Sequence, residues 1–175
     1  MIQYWFHIAY IYIGSRFFWK QVDLHSDLTR TRRVSLLDCE AFRFMNNSKY
    51  FIYMDLIRFE ILFRTNMYKA TINKGVFPVL GSQKIIYRRP LKRWQKFDIT
   101  LKLEGWDDKW VYHKQVFTRK DEVYAIGITK VAFLKQNKIQ NMDEILALSG
   151  MGFKEKEVSD TIKALFENDT AILKI

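Results

Sequence analysis

Two carboxylates stand close together in Asp38-Cys39-Glu40, and a few residues further on the chain reads Asn46-Asn47-Ser48. Asn46 or Asn47 is suited to accept a backbone N–H and so begin a helix. The unpaired N–H groups and the positive dipole end of that helix then face the acidic loop. A carboxylate in such a place can activate water or attack a carbonyl directly. The helix N–H groups can hold the oxyanion that forms. Residue types and spacing therefore suit acyl transfer, with backbone donors near Asn46, Asn47 and Ser48. The competing reading is a pair of solvated loop carboxylates beside an ordinary helix cap, the commoner fate of Asp and Glu.

Other chemistry finds less support. Cys39 has no histidine near it in sequence, so a Cys–His nucleophile is not expected. As the single cysteine it also excludes an intramolecular disulfide and a multi-cysteine zinc site. His113 lies in a strand-like stretch and reads as structural. Asp55 and Arg58 are one helical turn apart and should pair on the helix. The segment from Arg88 to Lys96 carries Arg88, Arg89, Lys92, Arg93 and Lys96 around Trp94. It suits either the phosphates of a nucleotide cofactor or an exposed basic turn. No recognisable nucleic-acid module accompanies it, so nucleic acid is not an expected partner.

These residues need elements to position them. Asn47 to Arg64 is apolar nearly all round, with Lys49, Asp55, Arg58, Glu60 and Arg64 as interruptions. Such a helix must be buried, and its charges argue against a membrane span. Leu28 to Leu37 suits a half-exposed strand, and Asp38 to Asn46 a loop. Strand signals then come in series: Val76 to Arg89, Phe97 to Glu104, Trp110 to Thr118 and Val123 to Leu134. In Phe97 to Glu104 apolar and polar residues alternate strictly, with Gly105 read as the following turn. Arg119 to Glu122 reads as a hairpin turn. Short connections predict an antiparallel sheet, and a sheet wrapped around one long helix is the simplest way to bury that helix. Asn141 to Leu148 and Lys154 to Asn168 read as accessory helices, the first stopped near Gly150 and Gly152.

The chain has 175 residues, 49% of them hydrophobic, which is enough for the core of one domain. Its formal charge of +10 points to anionic partners or to a solubilising surface. Met1 to Ile13 is almost wholly apolar or aromatic but shorter than the ~20 residues of a membrane span. It lacks the pattern of a secretory signal. Trp5, Tyr4, Tyr10 and Tyr12, with Arg16 and Lys20 behind them, suit an interfacial helix. A helix packed on the domain or on a second copy is equally consistent.

The run from Asp38 to Asn47, continued by Ser48-Lys49-Tyr50 and Met54-Asp55-Leu56, resembles the active-site loop and central helix of hotdog-fold thioesterases. The resemblance is to the 4-hydroxybenzoyl-CoA-thioesterase-like, thioesterase-superfamily member 6-like branch. Pro78 to Gln83, Arg88-Arg89-Pro90-Leu91 and Gly105 to Trp110 carry it further, over roughly residues 1 to 136. It implies an α+β hotdog fold in three parts. These are an N-terminal apolar segment (1–20), a hotdog domain (21–136) and a C-terminal helical appendage (137–175).

The resemblance also implies hydrolysis of an acyl-CoA or acyl-carrier-protein thioester, in lipid metabolism, with coenzyme A entering as substrate and no separate cofactor. Where the family loop reads D-x-D-x-x-x-H-[VM]-N-N, this chain places Glu40 at the catalytic carboxylate, Asp38 beside it, and Phe44 at the histidine. The two departures change the reach of the acid and remove a polar group from the pocket mouth. Tyr50, Arg88 and Arg89 fall where substrate would be held. Relatives of this kind assemble as dimers or tetramers with the pocket between subunits, so a homodimer or tetramer is expected. The implied location is cytoplasmic, with residues 1–20 available for peripheral membrane contact. A non-catalytic acyl-binding or membrane-associated protein of the same fold remains the alternative.

Overall fold

A computed structural model describes residues 2–65, 67–148 and 157–169. The chain opens with helix α1 (Ile2–Ile13), which tightens into a π-helical turn at Gly14–Phe18. Strand β1 (Leu28–Arg33), the two-residue strands β2 (Cys39–Glu40) and β3 (Phe44–Met45), and helix α2 (Asn47–Arg64) follow. Then come the short helix α3 (Met67–Ala70) and strands β4 (Phe77–Tyr87), β5 (Lys96–Trp106), β6 (Val111–Arg119), β7 (Glu122–Lys135) and β8 (Lys138–Ile139). Helices α4 (Met142–Leu148) and α5 (Asp160–Ala164) end the described chain. The sheet is antiparallel, in the order β1-β5-β6-β7-β4, with β8 folded back on β7.

Period-two patterning sets the sheet's inner face. Phe97, Ile99, Leu101 and Leu103 of β5 are all buried and join Phe117 and Val131 in one core. Helix α2 lies on this face through Tyr50, Met54, Ile57 and Ile61. It approaches the sheet closely at Gly127, where a Cβ would stand 2.4 Å from Met54 Cε. Beyond Ser48 no residue of α2 is exposed, as its all-round apolar character requires. One of its charges, Glu60, is 1% exposed and bridges two arginines. Arg30 of β1 donates to both its oxygens at 2.8 Å, and Arg64 donates at 2.7 Å. This pairing ties the first strand to the end of the helix.

Three details depart from the sequence reading. The strand expected over Leu28 to Leu37 stops at Arg33, because Ser35 and Asp38 close a 3₁₀ turn by reciprocal hydrogen bonds. Asp38 to Asn46 is not a plain loop but holds the β2–β3 hairpin. Gly105 does not end β5. It sits in a bulge with φ 134°, and the turn follows at Asp107, whose Oδ1 accepts from Lys109 N and Trp110 N.

Helix α1 packs across α2, with Tyr12 edge-on to Phe63 at 5.4 Å. Helix α4 is pinned by Trp106 Nε1, which donates to Asp143 Oδ1 at 3.2 Å. Helix α5 covers the opposite face of the sheet, where Val158, Ile162 and Phe166 meet Tyr112 and Ile128. The stripe expected within Lys154 to Asn168 is therefore present from Val158 onward. Residues 154–156, like Gly150 and Gly152, lie outside the described residues.

Candidate active site

The acidic loop is built as a small platform at the amino end of α2. Glu40 pairs with Phe44 across the β2–β3 hairpin, whose three-residue turn begins with Ala41 and Phe42 at φ of 44° and 57°. Two consecutive left-handed residues match the twist of the flanking strands, and neither is glycine, so the turn holds local strain. Backbone bonds fasten it to the segment after β4. Met45 N donates to Leu91 O at 2.8 Å, and Arg93 N donates to Arg43 O at 2.9 Å.

The two carboxylates have different surroundings. Asp38 is buried. Its Oδ2 accepts from Ser35 N at 2.9 Å, Ser35 Oγ at 2.7 Å and Tyr53 OH at 3.0 Å. Lys49 Nζ lies 3.4 Å from Oδ1. Burial alone would raise its pKa, but the Ser35 and Tyr53 hydrogen bonds and the Lys49 charge outweigh it and hold the carboxyl below its ordinary value. Burial and the adjoining Asp38 push the Tyr53 phenol upward, so it stays a donor. Glu40 is exposed, and its Oε2 accepts from Asn46 Nδ2 at 3.2 Å.

Asn46 joins that carboxylate to the helix. It is the N-cap, and its Oδ1 accepts from Ser48 N at 2.8 Å and Ser48 Oγ at 2.7 Å. Its own N–H goes to Asp38 O, and Lys49 N goes to Asn46 O. The three expected oxyanion donors thus reduce to one. Asn46 N and Ser48 N are occupied, whereas Asn47 N has no partner among the described residues.

The remaining candidates divide. Tyr50, expected along the substrate path, is inside the core instead. It packs edge-on against Tyr87 and Phe117, and its OH accepts from Leu91 N at 3.2 Å. Arg88 and Arg89 are exposed on the turn leading to Leu91, with Arg89 paired to Glu122. Cys39 directs its thiol to Ser35 O at 3.3 Å, and burial and the nearby Asp38 push its pKa up, away from a thiolate. Sequence reasoning missed Ser35, Lys49 and Tyr53 as the supports of Asp38. Ser35-Leu36-Leu37-Asp38 did carry a signal, since it matches the Ser-x-x-Asp capping box.

A cavity of about 270 Å³ lies towards the other end of α2, lined among others by Arg58, Leu62, Leu103, Trp106, His113 and Leu146. Neither Asp38 nor Glu40 lines it.

A family model described as the thioesterase-like superfamily matches residues 34–165. The chain belongs to that superfamily. The match begins just before the Ser35–Asp38 turn and runs through the Glu40 hairpin, α2, the sheet and α4 into α5.

The THEM6 protein of Drosophila melanogaster is 26% identical over 137 residues, 78% of this chain and 69% of that protein. The THEM6 protein of Xenopus laevis is 35% identical over 88 residues, 49% of this chain and 42% of its own length. A Saccharomyces cerevisiae protein described as a probable thioesterase is 22% identical, matched over 76% of this chain and 60% of its own. The matches thus reach from under half to about two thirds of these relatives' lengths. Among solved structures, a hypothetical protein of Aquifex aeolicus has a TM-score of 0.62 at 26% identity, covering 70% of this chain and 98% of that one. The Escherichia coli probable thioesterase YbaW has a TM-score of 0.65 at 20% identity, covering 69% and 95%. The mixed α/β fold with an antiparallel sheet is therefore the one this chain shares with these structures.

Proposed function

We propose that this chain hydrolyses acyl thioesters of coenzyme A or of an acyl carrier protein, with Glu40 as the working carboxylate. The carrying observation is the division of labour between the two acids. Asp38 has its oxygens engaged by Ser35, Tyr53 and Lys49, whereas Glu40 is exposed and held only by the N-cap Asn46. Glu40 takes a proton from water as the water oxygen bonds to the thioester carbonyl carbon. The Asn47 N–H, at the positive end of α2, receives the developing oxyanion. Collapse breaks the C–S bond, and Glu40 returns the proton to the leaving thiolate. Asp38 is a positioning residue, and exposed Arg88 and Arg89 supply charge for the phosphates of coenzyme A. Thiol release from short, medium, long and aromatic acyl-CoAs tests this. Absence of release across the whole panel would favour an acyl-binding protein without turnover.

A second copy completes the molecule in this reading. Strand β4 is a sheet edge eleven residues long, and it exposes Phe77, Val79, Leu80, Ile86 and Tyr87. An unpaired apolar edge of this length is a template for another strand. Two copies joined through β4 should sediment as a dimer, and Val79→Lys with Ile86→Lys should yield monomer. A wild-type chain that sediments as a monomer at all concentrations removes this assembly.

A membrane-contacting role has its own observation. Trp5, Phe6, Phe17 and Phe18 are between 66% and 79% exposed on α1 and the turn after it, beside Arg16 and Lys20. No helix of the described residues is long and apolar enough to cross a membrane. An interfacial helix needs only such a face. Removing α1 would strip α2 of cover, so the sharper test is Phe6→Ser with Phe17→Ser and Phe18→Ser. The triple variant should lose co-sedimentation with anionic liposomes. Equal sedimentation of variant and wild type ends this role.

A further inference from the structure

The cavity at the carboxyl-terminal half of α2 is lined mostly by apolar side chains, and two of its polar residues hold atoms without partners. Arg58 is buried. It forms an ion pair with Asp55, yet its Nη1 has no hydrogen-bond partner among the described residues. His113 Nδ1, from β6, is likewise buried and unpartnered. Both residues line the cavity, with Tyr4 of α1 and with Met142 and Leu146 of α4. Native proteins rarely leave a buried donor unpaired, because doing so forfeits the hydration of that group. At about 270 Å³ the space is close to the ~300 Å³ lower bound of small-molecule sites.

We propose that this cavity binds an uncharged aliphatic molecule bearing one hydroxyl or carbonyl oxygen, with Arg58 Nη1 donating to that oxygen. The charge balance decides against an anion. Arg58 is already compensated by Asp55, and His113 is held neutral by burial and by the Arg58 charge. A carboxylate entering here would be an uncompensated charge in an apolar chamber, and the penalty for that exceeds one hydrogen bond. A hydroxyl accepts from Arg58 and can donate to His113 Nδ1. A carbonyl satisfies Arg58 alone. The aliphatic part lies against Leu62, Leu103 and Val131. In this reading α4, held down by Trp106 through Asp143, is a wall of the binding chamber. The inference does not depend on thioester turnover, since none of the Glu40 platform takes part in it.

Calorimetric titration of the full chain with 1-decanol, decane and decanoate tests it. 1-Decanol should bind one to one and at least about tenfold more tightly than either of the others, the effect of one hydrogen bond to a charged donor. Arg58→Lys keeps the ion pair with Asp55 but withdraws the second guanidinium nitrogen, so it should bring 1-decanol down to the affinity of decane. Leu80→Trp, at an exposed position that lines the cavity and lies on the β4 edge, should abolish binding of 1-decanol and decane, with sedimentation run in parallel to tell a filled cavity from a changed assembly. The proposal fails if 1-decanol does not bind, if decanoate binds more tightly, or if Arg58→Lys keeps the preference. Thiol release by the same variants is read separately, so loss of one reading leaves the other standing.

Discussion

Glu40→Gln should reduce thiol release from an acyl-CoA by roughly 10²–10⁴-fold, the usual contribution of a positioned general base. Glutamine is the informative replacement. Its side-chain oxygen still accepts from Asn46 Nδ2, so the tie between the hairpin and the N-cap survives while the basic group is lost. The fall should appear in kcat with KM nearly unchanged, because Glu40 is assigned to the reacting water and not to binding the acyl group. Melting temperature should not move. Asn46→Ala separates cap from chemistry. It removes a cap worth about 1 kcal/mol, so the melting temperature should drop, and the unanchored Glu40 should lose part of the rate. Asp38→Asn should behave differently again. Its carboxylate accepts from Ser35 and Tyr53 and pairs with Lys49, so the substitution loosens the platform and lowers stability and rate together. A Glu40→Gln enzyme with wild-type kcat would sink the assignment.

Helix α2 and strand β5 were readable because the cause of each is local. An all-round apolar helix with an asparagine cap, and strict alternation over eight residues from Phe97, need no knowledge of the rest of the chain. The observed helix spans the expected residues, and the four apolar residues of β5 all face the core. The acidic platform was readable only in outline. That Asp38 is buried and Glu40 exposed follows from partners on other elements: Tyr53 two turns into α2, and Leu91 beyond β4. Nothing in the spacing of Asp38-Cys39-Glu40 tells which carboxylate faces solvent. The same reason explains Tyr50. Its place after the Asn46 cap suggests a substrate contact, but the periodicity of α2 turns it inward against Phe117. Gly105 misled because a glycine within a strand pattern marks either a turn or a bulge, and only the register of β5 on β6 distinguishes them.

The cavity that suits a neutral ligand also predicts how the fold responds to acid. His113 is buried, with its pKa lowered to about 3 by burial first and by Arg58 second. The unfolded chain takes up that proton near pH 6.5, while the folded chain refuses it until far lower pH. Between those values the unfolded state binds more protons, so stability rises with pH and is lost as pH falls through the window. The slope from one proton is about 1.4 kcal/mol per pH unit. From pH 6.5 to pH 4.5 the loss approaches ~2–3 kcal/mol, a large share of a typical domain's stability. The groups facing His113 modify this in a known direction. Arg58 stays charged and deepens the effect. Tyr4 does not ionise there. Asp55 is raised by burial against the pull of Arg58, so the folded state gains its proton early and slightly offsets the loss at the acid end. Asp38, whose pKa is lowered, adds to the loss only below about pH 4, near its unfolded value. Urea unfolding at pH 4.5, 5.5 and 6.5 samples the window in which His113 takes up its proton in the unfolded chain alone. His113→Gln keeps a polar side chain that cannot take up the proton, so it should flatten the pH dependence over this range. An unchanged slope in that variant would mean that the acid sensitivity arises elsewhere in the chain. A flat profile in the wild type would mean that His113 is not held neutral in the folded protein, and the cavity beside Arg58 would then carry a positive charge.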